Sequence, residues 1–307
     1  MNNENSRTLT KKKTAFWGMA AVVSAIILFS TIEVVSKNIA GKCHIDAYMM
    51  VFLRFFGTGL ILLSLGLPGY LQRGGTLGWR DWKNFILNGL IGITISLTLF
   101  HAAISMFENA SSSAVVFSAN AVFAIVIARF MNHEPWAAHK WAALILALGG
   151  IALFIFEKGT PSMGAVKALL VMSLAALGFA YSVCLTRKVV NHYGATFFMG
   201  ISSLLGSLFI LPMAVLNLQG NLADEMLKAW PELLYIVLIG TALAYLLYYL
   251  GLKRVSAFIA SMVFFLKPGL ACILAWVVRG EKMNTWTFSG TLIIFMALCL
   301  TLMNNRK

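Results

Sequence analysis

Ten apolar runs follow one another almost without pause, at about 15–36, 47–67, 84–106, 110–131, 140–156, 164–186, 195–217, 232–252, 255–278 and 284–303. A helix that crosses a bilayer needs roughly 20 mostly apolar residues. The stretches 109–128, 233–252 and 283–305 contain no Asp, Glu, Lys, Arg or His. The fifth run is short, and Lys267-Pro268-Gly269 interrupts the ninth. Connections of a few residues leave no room for a soluble domain between runs. Membrane β-strands alternate polar and apolar residues, so solid apolar runs exclude a β-barrel. The expected fold class is therefore an all-α polytopic membrane protein with ten transmembrane helices.

Composition closes the other routes. The chain is 60% hydrophobic and only 11% charged, whereas a soluble domain carries about 25% charged residues. A folded soluble chain cannot hide this much apolar surface. That excludes a soluble enzyme, a disordered chain and a secreted disulfide scaffold. Of the four cysteines, only Cys43 lies outside an apolar run. There is no disulfide framework and no metal-ligand spacing, so neither metal nor cofactor is expected. No GxxxxGK[ST], HExxH or strand-borne glycine turn is present, which argues against a nucleotide-driven pump and against those enzyme classes.

The formal net charge is +13, but its placement points to topology rather than to a nucleic-acid groove. With the N-terminus in the cytoplasm, 15 Lys and Arg fall on the inner side and 7 on the outer side. Arg54 and Lys267 lie within spans. The two-to-one bias places both termini inside a plasma or inner membrane. The first run is expected to stay as a span rather than be cleaved, because Thr14 to Ile32 is long for a signal segment.

The chain also resembles itself. A shift of 147 residues brings Ala110 onto Ala257, Val116 onto Val263, Phe117 onto Phe264, Ala124 onto Ala271, Ala128 onto Ala275 and Glu134 onto Glu281. A shift of 149 brings Ser24 onto Ser173, Val34 onto Val183, Gly57 onto Gly206 and Leu62 onto Leu211. Five spans per half is an odd number, so the halves would insert in opposite senses as two inverted five-helix repeats. The expected organisation is a tail at 1–14, a first repeat at 15–157 and a second at 164–303.

Several local features add to this pattern. An Arg stands early in the second span, in Met50-Val51-Phe52-Leu53-Arg54-Phe55. Tight turns, Glu108-Asn109-Ala110-Ser111 and Arg254-Val255-Ser256-Ala257, join the third to the fourth span and the eighth to the ninth. A Glu follows the fourth and ninth spans, at Glu134 and Glu281, and Pro268 sits inside the ninth. In these respects the chain resembles the drug/metabolite transporter superfamily, and more closely its EamA branch of ten-helix transporters. The likeness spans about residues 15–303. It departs where Ala121 stands opposite Pro268, so a helix break is expected in the second half only. The resemblance implies movement of small metabolites driven by exchange or an ion gradient.

Charges inside a bilayer cost about 2.5–3.5 kcal/mol each on insertion scales and mark function or need partners. Three stand out: Glu33, Arg54 and Lys267. A Glu33–Arg54 ion pair fits the spacing, and Lys37, one turn after Glu33, is a second candidate partner. Pro268 and Gly269 loosen the helix beside Lys267, and freed carbonyls are tolerated beside protein or a wet cavity. Lys267 is therefore expected to face a central, water-accessible cavity, flanked by its repeat mate Asn120; the alternative is a structural lysine buried against Glu33 or backbone carbonyls. Glu33, Arg54, Lys267 and Asn120, with Tyr181, Tyr245 and Tyr248 lining the walls, form the candidate substrate site. Tyr249 is a further wall candidate, and His101 is the candidate proton carrier. Glu134 and Glu281 are expected to accept hydrogen bonds from the start of the next helix.

The function expected is a secondary transporter of a small polar metabolite, an amino acid or organic acid, by alternating access. One alternative is a multidrug or cationic-compound exporter of the same fold. The other, an intramembrane lipid-modifying enzyme, would need paired carboxylates or a His cluster that the spans lack. The partners expected are a small-molecule substrate and membrane lipids, with room left for a homodimer and no nucleic acid.

Overall fold

The computed structural model describes residues 2–131, 138–157, 160–218, 220–252 and 266–302. Among them every regular element is helical. Eight helices are long and apolar enough to cross a membrane: α1 (Phe16–Lys42), α2 (Ala47–Leu71), α3 (Trp82–Met106), α4 (Ala110–Met131), α5 (His139–Phe156), α6 (Met163–Tyr193), α7 (Ala195–Leu216) and α8 (Trp230–Gly251). Two shorter apolar helices follow, α9 (Leu266–Arg279) and α10 (Thr285–Leu302). The chain is a multi-pass membrane protein. Helices α1 and α6 run longer than the apolar patterns, to Lys42 and Tyr193, because the polar residues there pack on neighbouring loops at the bundle ends.

Large apolar side chains line much of the outside, among them Leu65, Leu174, Phe209 and Val277. Inside, small residues let the helices approach closely, as expected where lipid supplies no hydrophobic drive for association. Among the pairings are α2 with α7, α5 with α10, α4 with α9, α1 with α8, and α3 with α6, and α3 also packs on α7 and α4 on α6. A Cβ on Gly66 would stand 2.5 Å from the backbone nitrogen of Phe197, and one on Gly200 would stand 2.6 Å from that of Leu63. These contacts run in opposite order along the two helices, so α2 and α7 are antiparallel.

Exchanging the first five helices for the last five maps α2–α7, α5–α10 and α4–α9 onto themselves, and α1–α8 onto α3–α6. Two irregularities obey the same exchange. Helix α3 carries a π-helical stretch at Asn88–Ile95 and α8 carries one at Tyr235–Leu243. In each a threonine hydroxyl donates to the carbonyl five residues back, Thr94 to Gly89 at 3.1 Å and Thr241 to Ile236 at 2.6 Å.

Helix α4 is broken at Ala119, between Ala110–Ser118 and Asn120–Met131. This corrects the expectation that only the second half carries a break. No proline is needed: the Ser118 hydroxyl donates to the Val115 carbonyl at 2.6 Å and the Asn120 amide to the Phe117 carbonyl at 2.7 Å. Such local bonds compete with the helical ladder and bend it.

Candidate functional site

Three charged side chains are buried where the helices meet. Glu33 on α1 is fully buried, Arg54 on α2 is 4% exposed and Lys267 on α9 is 6% exposed. Lys267 lies 12 residues before Arg279, which by the helical rise of about 1.5 Å per residue puts it about 18 Å below that end of the bundle. Its ammonium donates to Glu33 Oε1 at 2.9 Å and sits 5.1 Å from the centre of the Phe117 ring on α4. The pair thus ties α1 to α9. Glu33 Oε2 and the neighbouring Ser36 hydroxyl are buried without a hydrogen-bond partner among the described residues.

Of the partners weighed for Glu33, the structure brings up Lys267, neither Arg54 nor Lys37. Arg54 turns instead to α8 and α3, donating through Nε to Thr241 Oγ1 at 2.7 Å and placing Nη1 3.3 Å from His101 Nε2. Its guanidinium also lies 4.9 Å from the Phe55 ring centre. A guanidinium has no acceptor, so the contact with His101 needs Nε2 as the acceptor and the ring proton on Nδ1. Thr241 passes its own proton to Ile236, which fixes its oxygen as the acceptor for Arg54. Lys37 donates to the carbonyls of Ile104 and Phe107 at the end of α3.

Asn120 is buried but spends its amide on Phe117, so it lies one turn from the ring under Lys267. Tyr245 and Tyr248 pack with Phe29 of α1, at ring distances of 5.1 and 6.4 Å, and Tyr249 stacks on Tyr245 at 5.9 Å. Tyr181 is half-buried on α6. Glu33, Lys267 and Phe117 therefore come together, as do Arg54, His101 and Thr241. Among the described residues Lys267 is buried, its ammonium held against Glu33. A solvent-open hollow of ≈ 610 Å³ lies elsewhere, between the ends of α3 and α5 and the start of α6, with Glu157 and Lys167 on its wall.

A polar network closes the end of the bundle above the charged core. Glu281 accepts from the backbone of Ala110 at 2.8 Å and from the backbone and hydroxyl of Ser111 at 3.1 and 3.0 Å. Arg279 donates to Glu281 at 3.0 Å and also to Asn38 on α1. Glu157 accepts from the Asn109 amide at 2.9 Å, and burial raises its carboxyl above the usual range. Glu281 thus caps α4, not α10, a correction to the expectation from sequence order. Glu134 and Trp136 lie outside the described residues, as does the 253–265 approach to Lys267.

Thr241 and Phe117 escape a reading that looks for charges. A signal for Thr241 does exist: the 147-residue shift sets Thr94 onto Thr241.

The chain matches the model of the EamA-like transporter family at residues 16–156 and 166–303. It is 26% identical over 294 residues to an uncharacterized transporter of Clostridium kluyveri, covering 94% of each chain. It is 28% identical over 257 residues to Protein PecM of Dickeya dadantii, covering 82% of each. A WAT1-related chloroplastic protein of Arabidopsis thaliana is 23% identical over 97% of this chain and 72% of its own. A solved crystal structure superimposes with a TM-score of 0.65 at 14% identity, covering 94% of this chain and 99% of that one; at that identity it speaks for the fold alone.

Proposed function

We propose that this chain, which belongs to the EamA-like transporter family, is a secondary carrier for a small polar metabolite of the amino-acid or organic-acid class. In this reading ten spans form two inverted five-helix halves, at 15–157 and 164–303, behind a cytoplasmic tail at 1–14. Both termini face the cytoplasm, the membrane is the cell membrane, and the halves exchange conformations to open one central site alternately to each side. Supporting the symmetry are the helix pairings that survive exchange of the halves and the two π-helical stretches 147 residues apart. The positive-charge bias supports the orientation.

One observation carries the reading: the buried Glu33–Lys267 pair joins a helix of one half to a helix of the other in the apolar core. A buried ion pair contributes little that well-packed apolar residues would not supply. Its value lies in being exchangeable, since a polar substrate can take over either partner while the helices separate.

The test uses the double variant Glu33→Gln/Lys267→Gln. It keeps the size of both side chains and leaves no buried charge stranded, so it should fold and reach the membrane. Purified and placed in proteoliposomes, it should lose at least 90% of substrate uptake, roughly the tenfold that 1.4 kcal/mol represents. Uptake at the wild-type rate would refute a central site built on this pair.

A further inference from the structure

The charges in the core do not cancel. Glu33 and Lys267 neutralise one another at 2.9 Å. Among the described residues Arg54, buried to 4% exposure, touches neutral groups: the Thr241 hydroxyl, the His101 ring and the face of Phe55. It forms no ion pair among the described residues. The sequence leaves little else to supply one. Apart from Glu232, which opens the eighth run and pairs with Lys42, Glu33 is the only Asp or Glu in the apolar runs, and the 253–265 segment contains neither. A guanidinium cannot shed its proton in a protein, and an uncompensated buried charge is costly. The sum over Glu33, Lys267 and Arg54 is one positive charge at the membrane core.

We infer that Arg54 is the docking group for the carboxylate of a substrate whose net charge is −1. This rests on the carrier reading and deepens it by fixing the charge of the cargo. The fork of a guanidinium matches a carboxylate in a way that an ammonium does not. Thr241 takes Nε and His101 lies against Nη1, which together set the plane of the fork and leave Nη2 with no partner among the described residues. A bound monoanion brings the core to neutrality. A zwitterion leaves it at one positive charge, and a cation raises it to two.

Two matched trios test this on the wild-type protein: isocaproate, leucine and isoamylamine, and propionate, alanine and ethylamine. Each trio keeps the amino acid's side chain and removes in turn its ammonium or its carboxylate, so the charge runs from −1 through 0 to +1. Binding to the native state raises the melting temperature of the purified protein. In at least one trio the carboxylate should do so at about tenfold lower concentration than the amino acid, because the zwitterion leaves the surplus positive charge buried in the core. The amines should have no effect. Arg54→Gln should abolish the carboxylate's effect, and Arg54→Lys should restore part of it.

A stronger response to an amino acid or an amine, a response to no carboxylate, or a full response in a folded Arg54→Gln protein would overturn the assignment. If Arg54→Gln does not fold, the wild-type ranking alone decides. Uptake into proteoliposomes separates the two claims. A carboxylate that binds but is never moved defeats the carrier reading and leaves the docking assignment standing. Movement of the amine or the zwitterion in preference does the reverse.

Discussion

Glu281 shows how one loop carboxylate holds helices that lie far apart in sequence. A helix start leaves its first amides without partners, and the carboxylate of Glu281 takes those of Ala110 and Ser111 together with the Ser111 hydroxyl. Replacing a capping acceptor by alanine costs about 0.5–2 kcal/mol, and here Arg279 also loses its ion pair. Glu281→Ala should therefore lower the melting temperature of the purified protein by several degrees. Glu281→Gln, which keeps an acceptor oxygen, should lower it less. Equal melting of all three proteins would show that the cap contributes nothing. The carboxylate was visible in the sequence and its partner was not, because chain order suggests the next helix while the fold delivers the start of α4. The same limit applies to Glu33: the sequence offers Lys37, Arg54 and Lys267, and only packing selects Lys267 from the far half of the chain.

At the scale of elements the apolar runs were readable because a bilayer demands some 20 apolar residues from any helix that spans it. Irregularities inside the runs were not. The π-helical stretches and the break at Ala119 arise from side chains bonding to nearby carbonyls, and they leave hydropathy unchanged. Helix contacts are equally silent in composition yet sharp in space. On α2, a Cβ at Gly66 would meet the backbone of Phe197 at 2.5 Å, whereas one at Gly69 meets nothing within 4 Å. Backbone cannot swing aside as a side-chain tip can, and overpacking a tight contact costs typically 1–3 kcal/mol. Gly66→Ala should accordingly destabilise the protein to thermal unfolding in detergent. Gly69→Ala should be neutral or slightly stabilising, since alanine is the better helix former by about 1 kcal/mol. Reversed signs at the two positions would mean that α2 and α7 do not meet as described.

For the whole molecule, the proposed repeat shows in the sequence as sparse identities, and its asymmetry in charge is the more telling part. The 147-residue shift sets Lys267 opposite Asn120, and the 149-residue shift sets Glu33 opposite Ser182 and Arg54 opposite Ser203. At each of these positions a charge in one half is matched by a neutral polar residue in the other, so the electrostatic fields of the two halves differ. In a carrier whose empty core holds one surplus positive charge, exchange of the halves requires a stage at which that charge is shut away from water on both sides. Dehydrating an unpaired ion costs several kcal/mol, and a bound monoanion removes most of that cost. Passage of the loaded form should then be fast and return of the empty form slow. From proteoliposomes loaded with a transported carboxylate, efflux should be about tenfold faster when the same carboxylate is present outside, equivalent to 1.4 kcal/mol in the barrier. The stimulation should vanish in Arg54→Gln, because the empty core of that protein carries no surplus. Efflux that ignores the outer solution would show that the empty carrier returns as readily as the loaded one, and that the surplus on Arg54 is compensated by some other means.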